Sequence, residues 1–180
     1  MDSKLQIISG MFHGRKLRLP AGARPTQNRA RIALFNMLAS LDIVPVCVWD
    51  AFAGSGAFGI ECLSRWAGCR AVFTDIAPAT VRANLSALDI GARASVVGAD
   101  AMSVVGKYGP EADLVFVDPP YSTGGLGAAF VKRLGGVIRS GAIVVWEQDA
   151  PDASMPGAEM WEILRDKQYG RARFMILRKK

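Results

Sequence analysis

Short apolar runs recur along the chain at regular intervals: Val46–Trp49, Ala71–Phe73, Ala94–Val97, Leu114–Val117 and Ile143–Trp146. Runs of this length, bounded by polar or turn residues, read as strands buried on both faces. Helical patterning fills the gaps: the stretch 51–59 turns into a helix through about Trp66, and others run over about 79–88 with Gly91 just beyond, and near 125–139. Strands alternating with helices predict an α/β fold with a doubly wound, mostly parallel sheet. Glu159–Leu164 and Arg173–Leu177 read as a terminal antiparallel pair. Upstream, residues 5–19 read as a hairpin whose second arm places Leu17 and Leu19 on one face and Lys16 and Arg18 on the other. A helix over about 27–40 follows, with Thr26 as its N-cap and Ile32, Phe35 and Leu38/Ala39 facing the core. This divides the chain into a basic hairpin and helix, 1–40, and a main domain, 41–180, in one compact unit.

Charge sharpens the picture. Residues 1–31 hold seven Lys or Arg against one Asp, and residues 165–180 again seven against one. The stretch between them is acidic, with eight basic and fourteen acidic residues. Two basic ends flanking an acidic middle suggest a polyanion-binding surface, with solvated tails as the alternative. Arg15, Lys16 and Arg18 offer a cationic face that Arg24, Arg29 and Arg31 extend. The three cysteines, Cys47, Cys62 and Cys69, lack metal-ligand spacing and sit in apolar surroundings, so buried free thiols are expected. A single histidine, His13, argues against a histidine-centred dyad or a multi-histidine metal site. The start of the chain leads into strand-like residues, and no apolar run reaches about 18 residues, so neither signal peptide nor membrane span is expected.

The fourth strand ends in Asp118-Pro119-Pro120-Tyr121. The prolines end the ladder and stiffen the backbone that follows. A carboxylate, rigid carbonyls and an aromatic ring then stand at a strand's C-terminal end, where open α/β sheets bind ligands. This suits a flat base with an exocyclic amine. The amine is a poor nucleophile because its lone pair is delocalised into the ring. Asp118 and the Pro119 carbonyl can accept its N–H bonds and free that lone pair, while Tyr121 stacks on the base. A strand-ending turn is the bland alternative.

Gly54-Ser55-Gly56-Ala57-Phe58-Gly59 fits the dinucleotide fingerprint, with Asp75 about twenty residues beyond its first glycine. Asp50 stands directly ahead of this loop, where it would repel a pyrophosphate. S-adenosylmethionine has no phosphate, and its sulfonium and α-ammonium would welcome an acid there. Asp75 is then placed for the ribose hydroxyls, and Asp100, with Ala101 alongside, for the adenine amine. Strand-ending or capping roles remain the alternative for any one of these acids. An NAD-dependent oxidoreductase is disfavoured by Asp50 and by the lack of an evident hydride-transfer partner.

The chain resembles the bacterial small-subunit (16S) ribosomal RNA guanine-N2 methyltransferases of the RsmD type. The resemblance is carried by Asp50-Ala-Phe-Ala-Gly-Ser-Gly, Asp118-Pro-Pro-Tyr and the opening Ile7-Ile-Ser-Gly, Gly14-Arg-Lys-Leu, Arg24-Pro-Thr and Arg31-Ile-Ala-Leu-Phe-Asn. It runs nearly end to end, through Lys167-Gln168-Tyr169-Gly170. It implies a Rossmann-like class I methyltransferase: seven strands, the last antiparallel, with a short N-terminal hairpin-helix extension. It further implies a cytoplasmic monomer that uses S-adenosylmethionine to methylate one guanine of the small ribosomal subunit. The expected catalytic set is Asp118, Pro119, Pro120 and Tyr121. The expected cofactor set is Asp50, Phe52, Ala53, Gly54, Ser55, Gly56, Asp75, Ile76, Asp100, Ala101 and Asp118. Arg15, Lys16, Arg18, Arg24, Thr26 and Arg29 are expected to face RNA. Asp75 stands where the family usually has Glu, and Ala51 where it often has Leu. The Asp-Pro-Pro-Tyr motif is shared with adenine-N6 methyltransferases, so that activity is the nearest rival; a non-catalytic RNA-binding or assembly module is another.

Overall fold

The computed structural model describes residues 5–22, 28–120, 124–149, 152 and 154–180. Seven strands form one sheet in the order β3-β2-β1-β4-β5-β7-β6. They are β1 (Cys47–Asp50), β2 (Arg70–Asp75), β3 (Ala94–Gly98), β4 (Leu114–Val117), β5 (Ile143–Asp149), β6 (Trp161–Tyr169) and β7 (Ala172–Lys179). β7 is antiparallel to both neighbours, and β1–β5 pair in parallel. The predicted mixed sheet is therefore present. Chain order reverses between β1 and β4, which sets a crevice at their C-terminal ends.

Helices cover both faces: α1 (Asn28–Ser40), α2 (Ala57–Arg65), α3 (Ala79–Leu88), α4 (Ala101–Tyr108) and α5 (Leu126–Gly135). α4 is an addition to the sequence reading, which passed from Asp100 straight to β4. α3 ends at Asp89, which takes a left-handed conformation (φ 53°) ahead of Gly91. One core packs α1, α2, α3 and the N-terminal arm on Val48, Phe73, Phe116, Val145 and Phe174. The other packs α4 and α5 on Trp49, Val117, Val144 and Trp146. Among the described residues no helix is long and apolar enough to cross a membrane.

The N-terminal arm is antiparallel as predicted but short, with one bridge between Gln6 and Lys16. Leu17 is buried and Leu19 half-buried, while Lys16 and Arg18 are exposed. The α1 stripe differs from the expected one. Ile32 and Ala39 are exposed, and the buried positions are Ala30, Arg31, Leu34, Phe35, Met37 and Leu38. Arg31 is thus no part of a surface patch. Its Nη2 donates to Glu61 Oε2 at 3.3 Å and its Nη1 to the Gln6 carbonyl at 3.2 Å.

Glu61, fully buried on α2, is the anchor of this arm. It accepts the N–H groups of Ile8 (2.7 Å) and Ser9 (3.0 Å) and also pairs with Arg65 (2.7 Å). Its neighbour Ser64 accepts from the Phe12 N–H and donates to the Ser9 carbonyl. Asn84 on α3 holds the outgoing strand by accepting the Arg18 N–H and donating to its carbonyl.

Three of the seven cations in the C-terminal basic stretch are ion-paired. Arg171 meets Asp149, Arg173 meets Asp166 and Arg178 meets Glu162. This end therefore offers less free positive charge than the composition suggested. The three cysteines are buried free thiols.

Candidate active site

A cavity of about 910 Å³ opens at the crevice between β1 and β4. All four acids that follow the first four strands, Asp50, Asp75, Asp100 and Asp118, line it. So do Phe52, Ala53, Gly54, Ser55, Ile76, Ala101, Pro119 and Pro120. The sequence-predicted acids and loop therefore converge on one space. Gly56 lies behind the wall with φ 76°, where an added Cβ would come within 2.7 Å of Val81.

Asp50 ends β1 at 1% exposure. Its Oδ2 accepts the Gly59 N–H at 3.1 Å, at the start of α2, and its Oδ1 is buried with no partner among the described residues. Burial pushes its carboxyl up to about 7; the Gly59 N–H pulls down and the Asp75 charge pushes up. An orphaned buried carboxylate oxygen on a cavity floor is a site for a cation.

Asp75 ends β2 with both oxygens engaged: Oδ2 accepts from Gly54 N–H (2.7 Å) and Oδ1 from Ala77 N–H (2.8 Å). It thereby fixes the glycine loop, and each oxygen keeps a second lone pair for a ligand hydroxyl. The loop is braced from beneath by Thr74, which donates to the Ala51 carbonyl and accepts from the Trp49 indole. Asp100 is the N-cap of α4, its Oδ1 accepting the Met102 N–H. Between these acids Ile76 stands 82% exposed, an apolar surface at the rim of the kind a purine ring covers.

Asp118 is half-buried in the wall. Burial, then the charges of Glu147 and Asp50, hold its carboxyl well above the usual carboxylate range. Glu147 on β5 was not singled out from the sequence, nor were Phe58 and Phe116, whose rings stack at 4.2 Å beside it in the cavity. Leu5, Leu19, Pro20, Arg31 and Leu34 close the space from the N-terminal arm and α1, and Tyr169 and Arg171 from the β6–β7 hairpin. Arg15, Lys16, Arg18 and Arg29 are exposed and lie outside the cavity lining. Tyr121, Arg24 and Thr26 fall outside the described residues.

The donor set fits S-adenosylmethionine. The floor is anionic, the glycine loop permits close approach, and an unpartnered oxygen awaits a cation. Asp75 and Asp50 occupy the N–H groups of Gly54 and Gly59, which a phosphate cradle would present to its ligand.

A family model described as "Conserved hypothetical protein 95" matches residues 5–178. Ribosomal RNA small subunit methyltransferase D of Escherichia coli K12 is 34% identical, over 97% of this chain and 90% of that protein. The protein of the same name in Haemophilus influenzae is 29% identical, over 93% and 90%. The structure of a putative methyltransferase, yhhF, from Escherichia coli superposes with a TM-score of 0.81 at 33% identity, covering 97% of each chain. An RNA methyltransferase from Salinibacter ruber, solved with S-adenosyl-L-homocysteine, shares the fold with a TM-score of 0.62 at 18% identity, over 85% and 92%.

Proposed function

Because the chain belongs to the ribosomal RNA small subunit methyltransferase D family, we propose that it methylates the exocyclic N2 of a guanine in small-subunit ribosomal RNA. The observation that carries this reading is the shared cavity: the Asp118-Pro119-Pro120 edge on one wall, and the orphaned Asp50 oxygen on the floor. S-adenosylmethionine would supply an electrophilic methyl on a cationic sulfur, chemistry that belongs to the cofactor.

The chain's own residues do the rest by alignment and electrostatics. Asp50 Oδ1 takes the cationic α-ammonium. Asp75 accepts from ribose hydroxyls, and Asp100 accepts from the adenine amine beside Ile76 and Ala101. The target base is taken out of its stack into the cavity. Asp118 and the Pro119 carbonyl accept from its N2–H groups and draw the nitrogen toward tetrahedral geometry, while Tyr121 stacks on the ring.

Asp118 also suits the proton that must leave. With the α-ammonium at Asp50, the carboxylates would be kept ionised. Methyl transfer would leave its positive charge on the target nitrogen and make the remaining N2 proton acidic. Asp118, whose proton affinity burial and Glu147 raise, would accept that proton. Exposed Arg15, Lys16, Arg18 and Arg29 support phosphate contacts at the arm.

The test uses methyl-labelled S-adenosylmethionine with small subunits from cells lacking this gene as acceptor. The RNA is digested to nucleosides and the labelled one identified. Label in N2-methylguanosine is the expected result. Label in N6-methyladenosine would keep the chemistry and overturn the base assignment. Absence of label, with cofactor bound and subunits intact, would favour a non-catalytic RNA-binding role.

A further inference from the structure

Beside Asp118 the cavity holds a further carboxylate, Glu147. Val117 pairs with Trp146 across parallel strands β4 and β5, so the next residues, Asp118 and Glu147, stand side by side. Phe116 and Val145, two positions earlier on each strand, lie in the same core cluster, so both acids point to that sheet face. Glu147 is 3% exposed and lines the cavity.

Beyond Glu147 comes a cation. Arg31 lines the same cavity from α1 at 5% exposure. Its Nη1 and Nη2 are held by Gln6 and Glu61, while its Nε–H is buried without a partner among the described residues. In the sheet, β5 lies between β4 and the β7–β6 pair, and α1 packs toward β6. Glu147 on β5 therefore stands between Asp118 and Arg31. The row reads acceptor, acceptor, donor.

The Watson–Crick edge of guanine reads donor, donor, acceptor: the N2 amine, N1–H and O6. The two rows are complementary. Adenine is not: with its N6 amine on Asp118, its N1 lone pair would meet the Glu147 carboxylate. A site that leaves a buried polar group facing a lone pair rejects that base strongly.

Building on the guanine-N2 reading, we propose that Glu147 is the base-determining residue, accepting guanine N1–H while Arg31 Nε donates to O6. Asp118 then selects for an exocyclic amine, and Glu147 for the purine that carries a proton at N1. The sequence motif alone is indifferent to that choice; the neighbouring strand makes it.

The test replaces the target guanine, once mapped by labelling, with 2-aminopurine in reconstituted small subunits. This base keeps the 2-amine but has a lone pair at N1 and no O6. The wild type is expected to prefer guanine by at least ~100-fold in kcat/KM. Glu147→Gln can donate to the N1 of 2-aminopurine, so its preference for guanine should fall by at least ~10-fold relative to wild type. Glu147→Asp, which withdraws the carboxylate, should lose guanine activity without gaining 2-aminopurine activity. A wild type that methylates both bases equally overturns the proposal without recourse to any variant. An unchanged preference in a Glu147→Gln protein that still binds S-adenosylmethionine by calorimetry also overturns it, while leaving guanine-N2 methylation standing. Wild-type label in adenine would instead remove the guanine reading itself, before any substitution is made.

Discussion

Asp50 carries a charge whose cost is measurable without substrate. At 1% exposure, with one hydrogen bond at Oδ2 and none at Oδ1, its carboxyl is pushed from 3.8 up to about 7. The unfolded chain loses this proton near pH 4, and the folded protein keeps it until about 7. Between those values the folded state binds more protons, so stability falls as pH rises, and the loss is complete above the folded pKa. Each pKa unit is worth about 1.4 kcal/mol, so the loss totals roughly 4 kcal/mol, of which roughly 3 falls between pH 5 and 8. Asp50→Asn keeps the shape and an acceptor for the Gly59 N–H but cannot ionise. It also removes one of the charges that raises Asp118, which flattens the profile further. Urea unfolding at a series of pH values should show the variant gaining on wild type by roughly 3 kcal/mol from pH 5 to 8, a midpoint change of about 1 M or more. The gain reverses in function. Wild type should release protons on binding S-adenosylmethionine near pH 7, seen by calorimetry in buffers of different ionisation enthalpy. The variant should release fewer and bind more weakly. Parallel pH profiles for the two proteins would refute the buried-charge argument.

Asp118→Ala should reduce transfer by about 10²–10⁴-fold while S-adenosylmethionine binding stays measurable by calorimetry; full activity would remove the role given to this carboxylate. Glu61→Gln strips a buried charge from Arg31 and Arg65 and should cost about 3–5 kcal/mol in urea unfolding; a change under ~1 kcal/mol would mean the arm is anchored elsewhere. Replacing Arg15, Lys16 and Arg18 by Ala should weaken RNA binding and flatten its salt dependence, with log K losing about 0.7–0.9 of slope per phosphate contact removed. An unaltered slope would take the exposed face of the arm out of the RNA interface.

The strand ends were legible because one signal coincides with one function. A short apolar run must stop where the sheet ends, and at the ligand edge it stops on an acid, as at Asp50, Asp75 and Asp118. Other features needed contacts distant in sequence. Arg31 occupies a core position of α1 that a 3.6-residue stripe assigns to an apolar side chain; its burial is tolerable because Glu61, thirty residues away, lies against it. Phe35 and Leu38 stay buried as the stripe predicted, while Ile32 looks outward. α4 was missed because it buries only Ala101 and Val105, too narrow a stripe to register as a period. Glu147 follows Ile143–Trp146 and reads as the polar end of a strand. β5 runs two residues further because β7 pairs with it as far as Asp149, carrying Glu147 into the cavity wall.

Glu147, the missed acid, shares its physical setting with two that the sequence marked. Glu147, Asp118 and Asp50 are three carboxylates on one sheet face, and in open water their mutual repulsion would be slight. Leu5, Leu19, Pro20 and Leu34 close the cavity over them, and the dielectric falls. That enclosure raises the Asp50 and Asp118 carboxyls, sharpens the attraction for a cation and makes a mismatched base costly. The closing wall is not part of the sheet. It is the N-terminal arm, held down through Glu61, Ser64 and Asn84 on helices that also border the glycine loop. Loosening that arm would therefore lower cofactor affinity and base discrimination together, even though Glu61 itself is absent from the cavity lining.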